Sequence, residues 1–312
     1  MQQHEGIIVQ LLAGFYDVLD SNTKDIVRTR ARGNFRNKKT SPLVGDIVEF
    51  QINDDKTGYI TKIKSRKNQL VRPPLSNIDQ AVVVTAATQP SFSSNLLDRQ
   101  LVALAEKQID AVIYFSKTDL LSNSQFEKLN KIAKYYASIG YRVFFPNQTN
   151  KSDILNKIKS LFKGKLTIFM GQTGAGKSTL LNSIDSRLNI ETGEVSKALN
   201  RGKHTTRKVS LIRMNQGFVA DTPGFSTYAV FEMPEQQLKN YFKDFMLYSP
   251  KCRFRECLHL NEPNCAVKEA VKNQLILQSR YENYKQFIEL IRKQKPEYER
   301  KGYQKKNGRR FK

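Results

Sequence analysis

The stretch LTIFMGQTGAGKSTLLNSI, residues 166–184, constrains the fold more than any other part of the chain. An apolar, strand-like run leads into Gly171, Gln172, Thr173, Gly174, Ala175, Gly176, Lys177, Ser178 and Thr179, and helical text follows. Glycines at this spacing let successive backbone N–H groups wrap a phosphate chain. Lys177 supplies a point charge near the β and γ phosphates, and the Ser178 hydroxyl suits Mg²⁺. The helix N-terminus adds its dipole. The flanking text has the same grammar. AVVVTAA (81–87) and DAVIYFSK (110–117) read as buried strands, and Leu97, Leu101, Leu104 and Ala105 recur at helical spacing between them. FEKLNKIAKYYASIG reads as a helix closed by Gly140, and YRVFFP as a further strand. Such alternation predicts an α/β domain on a mostly parallel sheet.

Two more motifs refine the chemistry. Asp221 ends the apolar GFVA and opens Asp221-Thr222-Pro223-Gly224, a D-x-x-G in which the aspartate reaches the metal through water and the Gly224 N–H meets the γ-phosphate. A transporter-type ATPase would carry a second acid directly after the aspartate, where Thr222 stands, and a Ser-Gly-Gly signature, which is absent. Ser116, Lys117, Thr118 and Asp119 fit the guanine-reading pattern [NT]-K-x-D, with serine in the first position. Its aspartate accepts from the ring N–H and the exocyclic amine of guanine. Adenine offers no such donor pair, so the wrong base leaves a buried carboxylate unpaired. The order is unusual: base reader, phosphate cradle, then D-x-x-G. That is a circular permutation, feasible where the original termini lie close together. It sends the γ-phosphate-sensing segment straight into the C-terminal region, so nucleotide state is expected to move that region directly.

Outside this segment the text changes twice. Residues 1–72 read as short strands punctuated by Gly14, Gly33, Gly45 and Gly58, the pattern of a small β-barrel. Arg28, Arg30 and Arg32 fall at period two and would share one strand face, and Arg36, Lys38 and Lys39 extend the charge. Such a face is either solvated or an RNA platform, and RNA contact is favoured here. The formal net charge of +23 points the same way, toward a polyanionic partner. The proline-marked RPPLSNID (72–79) opens the α/β segment, 73–230. From 231 onward, Cys252, Cys257, His259 and Cys265 give C-x4-C-x-H-x5-C, using every cysteine of the chain. Three thiolates and an imidazole make a closed tetrahedral site for one structural zinc. Tyr281, Tyr284 and Phe287 are spaced for a packed helix face, and the basic tail KPEYERKGYQKKNGRRFK is expected to order only on a partner. No apolar run approaches the roughly 20 residues that span a bilayer, and the start lacks a basic n-region, so a cytoplasmic protein without membrane contact is expected.

With these residues in hand, the chain resembles the RsgA (YjeQ) family of circularly permuted GTPases of small ribosomal subunit maturation. ARGNFR, VGDIV, RPPLSNIDQ, LLDRQLV, SKTDL, the phosphate loop, GKHTT, DTPGF and the cysteine window carry the resemblance, over nearly the whole chain. It implies an OB-fold barrel (1–72), a permuted P-loop GTPase (73–230) and a helical zinc domain with a basic tail (231–312). It also implies binding to the small subunit and its rRNA, with GTP hydrolysis stimulated there to assist late maturation and release of assembly factors. A monomer is expected. His204, in GKHTT, resembles the family's water-orienting residue, and Thr205 or Thr206 would complete Mg²⁺ coordination with Ser178 and Asp221. Phe225 follows D-T-P-G where many GTPases place a water-orienting glutamine, so unassisted hydrolysis should be slow. The loop that supports the guanine should lie near FFPNQTN (144–150). Two alternatives stand beside this reading: a nucleotide-sensing RNA-binding assembly protein with little turnover, and a P-loop ATPase working on RNA.

Overall fold

The computed structural model describes residues 3–31, 35, 41–54, 56–71, 73–147, 149–188, 209–221, 231 and 233–294, with the side chain of Asp221 left out. The chain divides into two compact units, one of residues 1–92 and 104–227, the other of 93–103 and 228–312.

The first unit begins with β1 (Gln3–Leu12), β2 (Phe15–Asp20), β3 (Ile26–Ala31), β4 (Ile47–Ile52) and β5 (Gly58–Ile63). They pair in the order β1-β2-β3-β5-β4, and β4 returns to β1, which closes a five-stranded barrel of OB-fold order. Alternation along the strands fills the inside with Ile8, Val18, Val48, Phe50 and Ile60, all fully buried. Closure leaves one strand with two duties. The first half of β1 pairs with β4, while Gln10 and Leu11 pair with Ser210 and Val209 of a later strand. A register shift between Ile8 and Gln10 lets the strand bend from one partner to the other. Below the barrel, the hairpin β6 (Gln69–Leu70) and β7 (Leu75–Ser76) is locked by Asp46. That carboxylate is fully buried and accepts from Arg66 Nε at 2.7 Å, Ser76 Oγ at 2.6 Å and the Leu43 N–H at 2.7 Å.

The α/β part follows. In chain order come β8 (Gln80–Ala86), α1 (Ser94–Glu106), whose residues 94–103 count with the second unit, β9 (Asp110–Ser116), α2 (Asn123–Ser138), β10 (Arg142–Phe144), α3 (Lys151–Ser160), β11 (Leu166–Met170), α4 (Lys177–Ile184), β12 (Val209–Met214) and β13 (Gly217–Asp221). The spatial order is β10-β9-β8-β11-β13-β12, all parallel except β12, which runs antiparallel to β13 and joins this sheet to β1 of the barrel. Val82, Val84, Val112 and Phe169 on one sheet face pack with Ile154 and Ile158 of α3 and Leu180 and Ile184 of α4. Ser122 and Gln125 form a reciprocal capping box that starts α2, and Gly140, at φ 87°, follows its end.

The second unit contains the short helices α5 (Glu235–Leu238) and α6 (Lys243–Tyr248), then α7 (Ala266–Lys272) and α8 (Gln278–Lys293). The helical text after Cys265 is therefore two helices. Ala270 O accepts from the Leu275 and Ile276 N–H groups, and Gln274 turns left-handed at φ 59°, which ends α7 before α8 begins. Phe242, Phe245, Tyr284 and Phe287 form a fully buried aromatic core, so Tyr284 and Phe287 pack as their spacing predicts. Within this unit lies a buried ion cluster. Arg280 donates Nε and Nη2 to the two oxygens of Asp244 at 2.6 and 2.8 Å, and Nη1 to Asp98, whose other oxygen accepts from Asn283 at 2.7 Å.

Candidate nucleotide site and metal centre

Because β9, β8, β11 and β13 are parallel neighbours, their carboxyl ends line one edge of the sheet. Open α/β sheets bind ligands along that edge. Here it carries Ser116–Asp119 after β9, the turn 87–92 after β8, the phosphate loop after β11, and Asp221 as the last residue of β13. Motifs that stand in permuted order along the chain thus meet in space.

The phosphate loop has the backbone its glycines predict. Gly171 sits at φ 144°, and a Cβ there would lie 2.2 Å from the Val84 carbonyl oxygen of β8. Gly176, at φ 90°, is the N-cap of α4, and a Cβ there would meet Ser116 at 3.5 Å. Lys177 opens α4 and folds back, donating to the carbonyls of Gly171 at 2.6 Å and Gln172 at 3.0 Å. Burial lowers its ammonium pKa. Ser178 is half-buried at the helix start, and Thr173, Gly174 and Thr179 are exposed. Free N–H groups of the first helical turn and the lysine together suit a phosphate chain.

Ser116–Asp119, the stretch expected to read guanine, is tied to its surroundings residue by residue. Ser116 is buried, and its hydroxyl donates to the Ala175 carbonyl of the phosphate loop at 2.5 Å. Lys117 adopts the left-handed region at φ 57°, and its Nζ donates to the Gln89 carbonyl. Thr118 is buried and donates to the Pro146 carbonyl at 2.7 Å, within the stretch expected to support the base. Asp119 is exposed, its charge helping burial to raise the pKa of Tyr114. The turn after β8 escaped the sequence reading. Gln89 holds Lys117, and Pro90 approaches Gly174 closely enough to lie 3.8 Å from a Cβ there. No motif marks these residues, and only their position after a buried parallel strand could have flagged them.

Arg28 and Arg30 are both exposed on β3, as the period-two spacing predicts. Neither is bare: Arg28 forks onto Asp17 at 2.9 and 3.3 Å, and the Arg30 guanidinium lies 4.4 Å from the Phe15 ring centre. Arg32, Arg36, His204, Thr205, Thr206 and Gly224 lie outside the described residues.

In the second unit, Cys252, Cys257, His259 and Cys265 bring their ligand atoms within 4.8 Å of one another. His259 faces the cluster through Nδ1, which is 3.4 Å from Cys265 Sγ and 3.6 Å from Cys252 Sγ, and the two sulfurs are 3.9 Å apart. Bonds of about 2.3 Å to sulfur and 2.0–2.1 Å to nitrogen give a tetrahedron with edges of roughly 3.5–3.8 Å, so the donor set fits a four-coordinate ion. The other ring nitrogen, Nε2, is 3.3 Å from Ser249 Oγ, a bond that fixes the tautomer. Burial first, and Lys239 second, push the His259 pKa down to about 4, which keeps the ring neutral and able to ligate. Burial and the neighbouring sulfurs push Cys257 up to about 12, so a cation is what would accommodate three thiolates here. Glu262 shapes the loop by accepting from the Leu258 and Leu260 N–H groups at 2.6 and 2.8 Å. Tyr281 and Tyr284 hold the carbonyls of His259 and Leu258 from α8. The polar text around the cysteines suggests a site away from a core, yet Cys257 and Cys265 are buried against the aromatic cluster.

The RsgA GTPase family description matches residues 63–231, and the RsgA N-terminal domain description matches residues 5–60. The chain belongs to the RsgA family. Its similarity extends over full length. The small ribosomal subunit biogenesis GTPase RsgA of Pediococcus pentosaceus is 71% identical, with 99% of this chain and 100% of that protein covered. The protein of the same description from Limosilactobacillus reuteri is 52% identical over 95% and 99% of the two chains. Among solved structures, YloQ, described as a circularly permuted GTPase, aligns with a TM-score of 0.79 at 40% identity over 95% and 98% of the chains. YjeQ from Thermotoga maritima aligns with a TM-score of 0.81 at 30% identity over 94% and 100%. The permuted order read from the RsgA motifs is thus the order of a solved fold.

Proposed function

We propose that this RsgA-family chain is a Mg²⁺-dependent GTPase that binds the small ribosomal subunit and its rRNA, hydrolyses GTP when stimulated there, and so assists late maturation and the release of assembly factors. The observation that carries the reading is the Ser116–Ala175 bond, which couples a guanine reader to a phosphate cradle in one site. In this reading Ser116–Asp119 read the base, residues 171–179 cradle the phosphates, and Gly224 senses the γ-phosphate. Ser178, Asp221 and Thr205 or Thr206 would hold Mg²⁺, which when bound would supply charge neutralisation at the phosphates. His204 orients the attacking water in place of the glutamine that Phe225 displaces. The barrel (1–72) meets RNA through Arg28, Arg30, Arg32 and Arg36, and the zinc-holding part (231–312) adds a second basic surface. The setting is cytoplasmic and the working form a monomer. Among the described residues no helix is long and apolar enough to cross a membrane.

Turnover of GTP and ATP by the purified chain, alone and with isolated small subunits, tests this. Expected are slow turnover alone, strong stimulation by subunits, preference for GTP, and loss of activity in Lys177→Ala and of stimulation in His204→Ala. Equal slow rates with and without subunits would remove the activation argument built on Phe225 and favour a nucleotide-sensing RNA binder. Preference for ATP would overturn both.

A further inference from the structure

A carboxylate discriminates guanine by accepting two donors at once, the ring N–H and the 2-amino group. Both bonds form only if the base plane is held in line with both oxygens, so the carboxylate needs a fixed relation to the rest of the base slot. Asp119 sits in the middle of a single 3-10 turn, Thr118–Leu120, entered through the left-handed Lys117. A turn this short does not fix its own direction. Thr118, the position that the guanine-reading pattern leaves unspecified, supplies an anchor. It is 6% exposed, and its hydroxyl donates to the Pro146 carbonyl at 2.7 Å.

Pro146 belongs to a loop that braces itself. Asn147 Oδ1 accepts from the Thr149 N–H, the Thr149 hydroxyl and the Asn150 N–H at 3.0, 2.9 and 2.8 Å. Asn150 Oδ1 in turn accepts from the Asn147 N–H at 2.7 Å. The Phe145 ring packs edge-on against Phe115 and Phe126, with centres 5.2 and 4.9 Å away. The loop is thus held by its own hydrogen bonds, whereas the turn needs an outside anchor. Among the described residues the Thr118 hydroxyl makes the one side-chain hydrogen bond between Ser116–Asp119 and residues 145–150.

We propose that Thr118 is a specificity-positioning residue: by pinning the Asp119 turn to the Pro146 loop, it sets how sharply the site separates guanine from a purine that lacks the 2-amino group. The proposal rests on the guanine reading given above. Removing the pin leaves stacking and phosphate contacts in place but lets the slot widen, which costs the two-bond fit first. A ligand that already lacks one of those bonds has less to lose.

The test is equilibrium binding of GDP, IDP and ADP to the full chain and to Thr118→Val, Thr118→Ala and Thr118→Ser. In Thr118→Val, GDP binding is expected to weaken about tenfold and IDP binding about twofold, so the GDP-to-IDP ratio narrows about fivefold. Thr118→Ser keeps the hydroxyl and should stay near the wild-type ratio. Should the valine chain not fold, Thr118→Ala reads the same ratio. A purely architectural threonine would weaken GDP and IDP by the same factor, or neither, and that result overturns the proposal while leaving the guanine reading intact. Equal wild-type affinity for GDP and ADP would instead overturn the guanine reading, and the role of Thr118 with it.

Discussion

Serine is shorter than the asparagine or threonine usual at the head of a guanine reader, so its reach to the phosphate loop is the weak point of the motif. The backbone removes that difficulty by bringing Ala175 to 2.5 Å from Ser116 Oγ, with Gly176 close beside it. Lys117 and Thr118 are likewise held, by Gln89 and Pro146, while Asp119 keeps an exposed carboxylate. A residue so placed should decide the base by its own donor pattern. Asp119→Asn replaces one acceptor oxygen with an amide donor, which complements the 2-oxo group of xanthine rather than the 2-amino group of guanine. GDP affinity is expected to fall on the order of a hundredfold, and XDP to become the preferred ligand, as for loss of a charge-assisted pair of bonds. Competition binding with both nucleotides measures this, and retained GDP preference would remove Asp119 from the role of reader.

At the scale of elements, strands that are apolar on both faces were the most legible. AVVVTAA and DAVIYFS are buried parallel strands because a sheet covered on both sides leaves no polar face to confuse with a helix. Less legible was β12, since VSLIRM mixes polar and apolar residues at the joint where the sheet runs on into the barrel. The break between α7 and α8 was hidden too. Its left-handed residue is Gln274, whereas a glycine would have announced it. In the site, the motif residues could be read from spacing, but Gln89, Pro146 and Ala175 act through carbonyl groups, which every residue has. The metal loop makes its own prediction. Its three sulfurs and one imidazole lie close enough together to hold a metal ion. Metal analysis should find one zinc per chain, absent in Cys265→Ala. Chelation should melt helical circular dichroism from the second unit, as in small metal-stabilised domains, while GDP binding persists.

For the whole molecule, the cluster of Asp98, Asp244 and Arg280 is the most consequential long-range tie that sequence reading missed. Asp98 and Arg280 are 182 positions apart, and nothing in LLDRQLV announces a partner so distant. Burying charges is costly, and removing the one guanidinium that Asp98 and Asp244 share leaves two buried carboxylates without it. Arg280→Met, which removes the guanidinium from both Asp98 and Asp244, is expected to cost about 3–5 kcal/mol of stability. Urea unfolding followed by tyrosine emission, suitable because the chain has 13 tyrosines and no tryptophan, measures it. A loss under about 1 kcal/mol would show that the cluster behaves like an exposed ion pair.

That cluster also bears on how such a chain can change its length. Residues 93–103 lie in the same compact unit as 228–312, with the other unit's residues on both sides of them in the sequence. A gene fragment starting near codon 228 would encode Arg280 and Asp244 without Asp98, and a protein ending there would keep Asp98 without the arginine. A single recombination at one end would therefore part Asp98 from Arg280. Eleven residues interleaved in the reading frame thus make a clean cut between the two units impossible at one point in the gene.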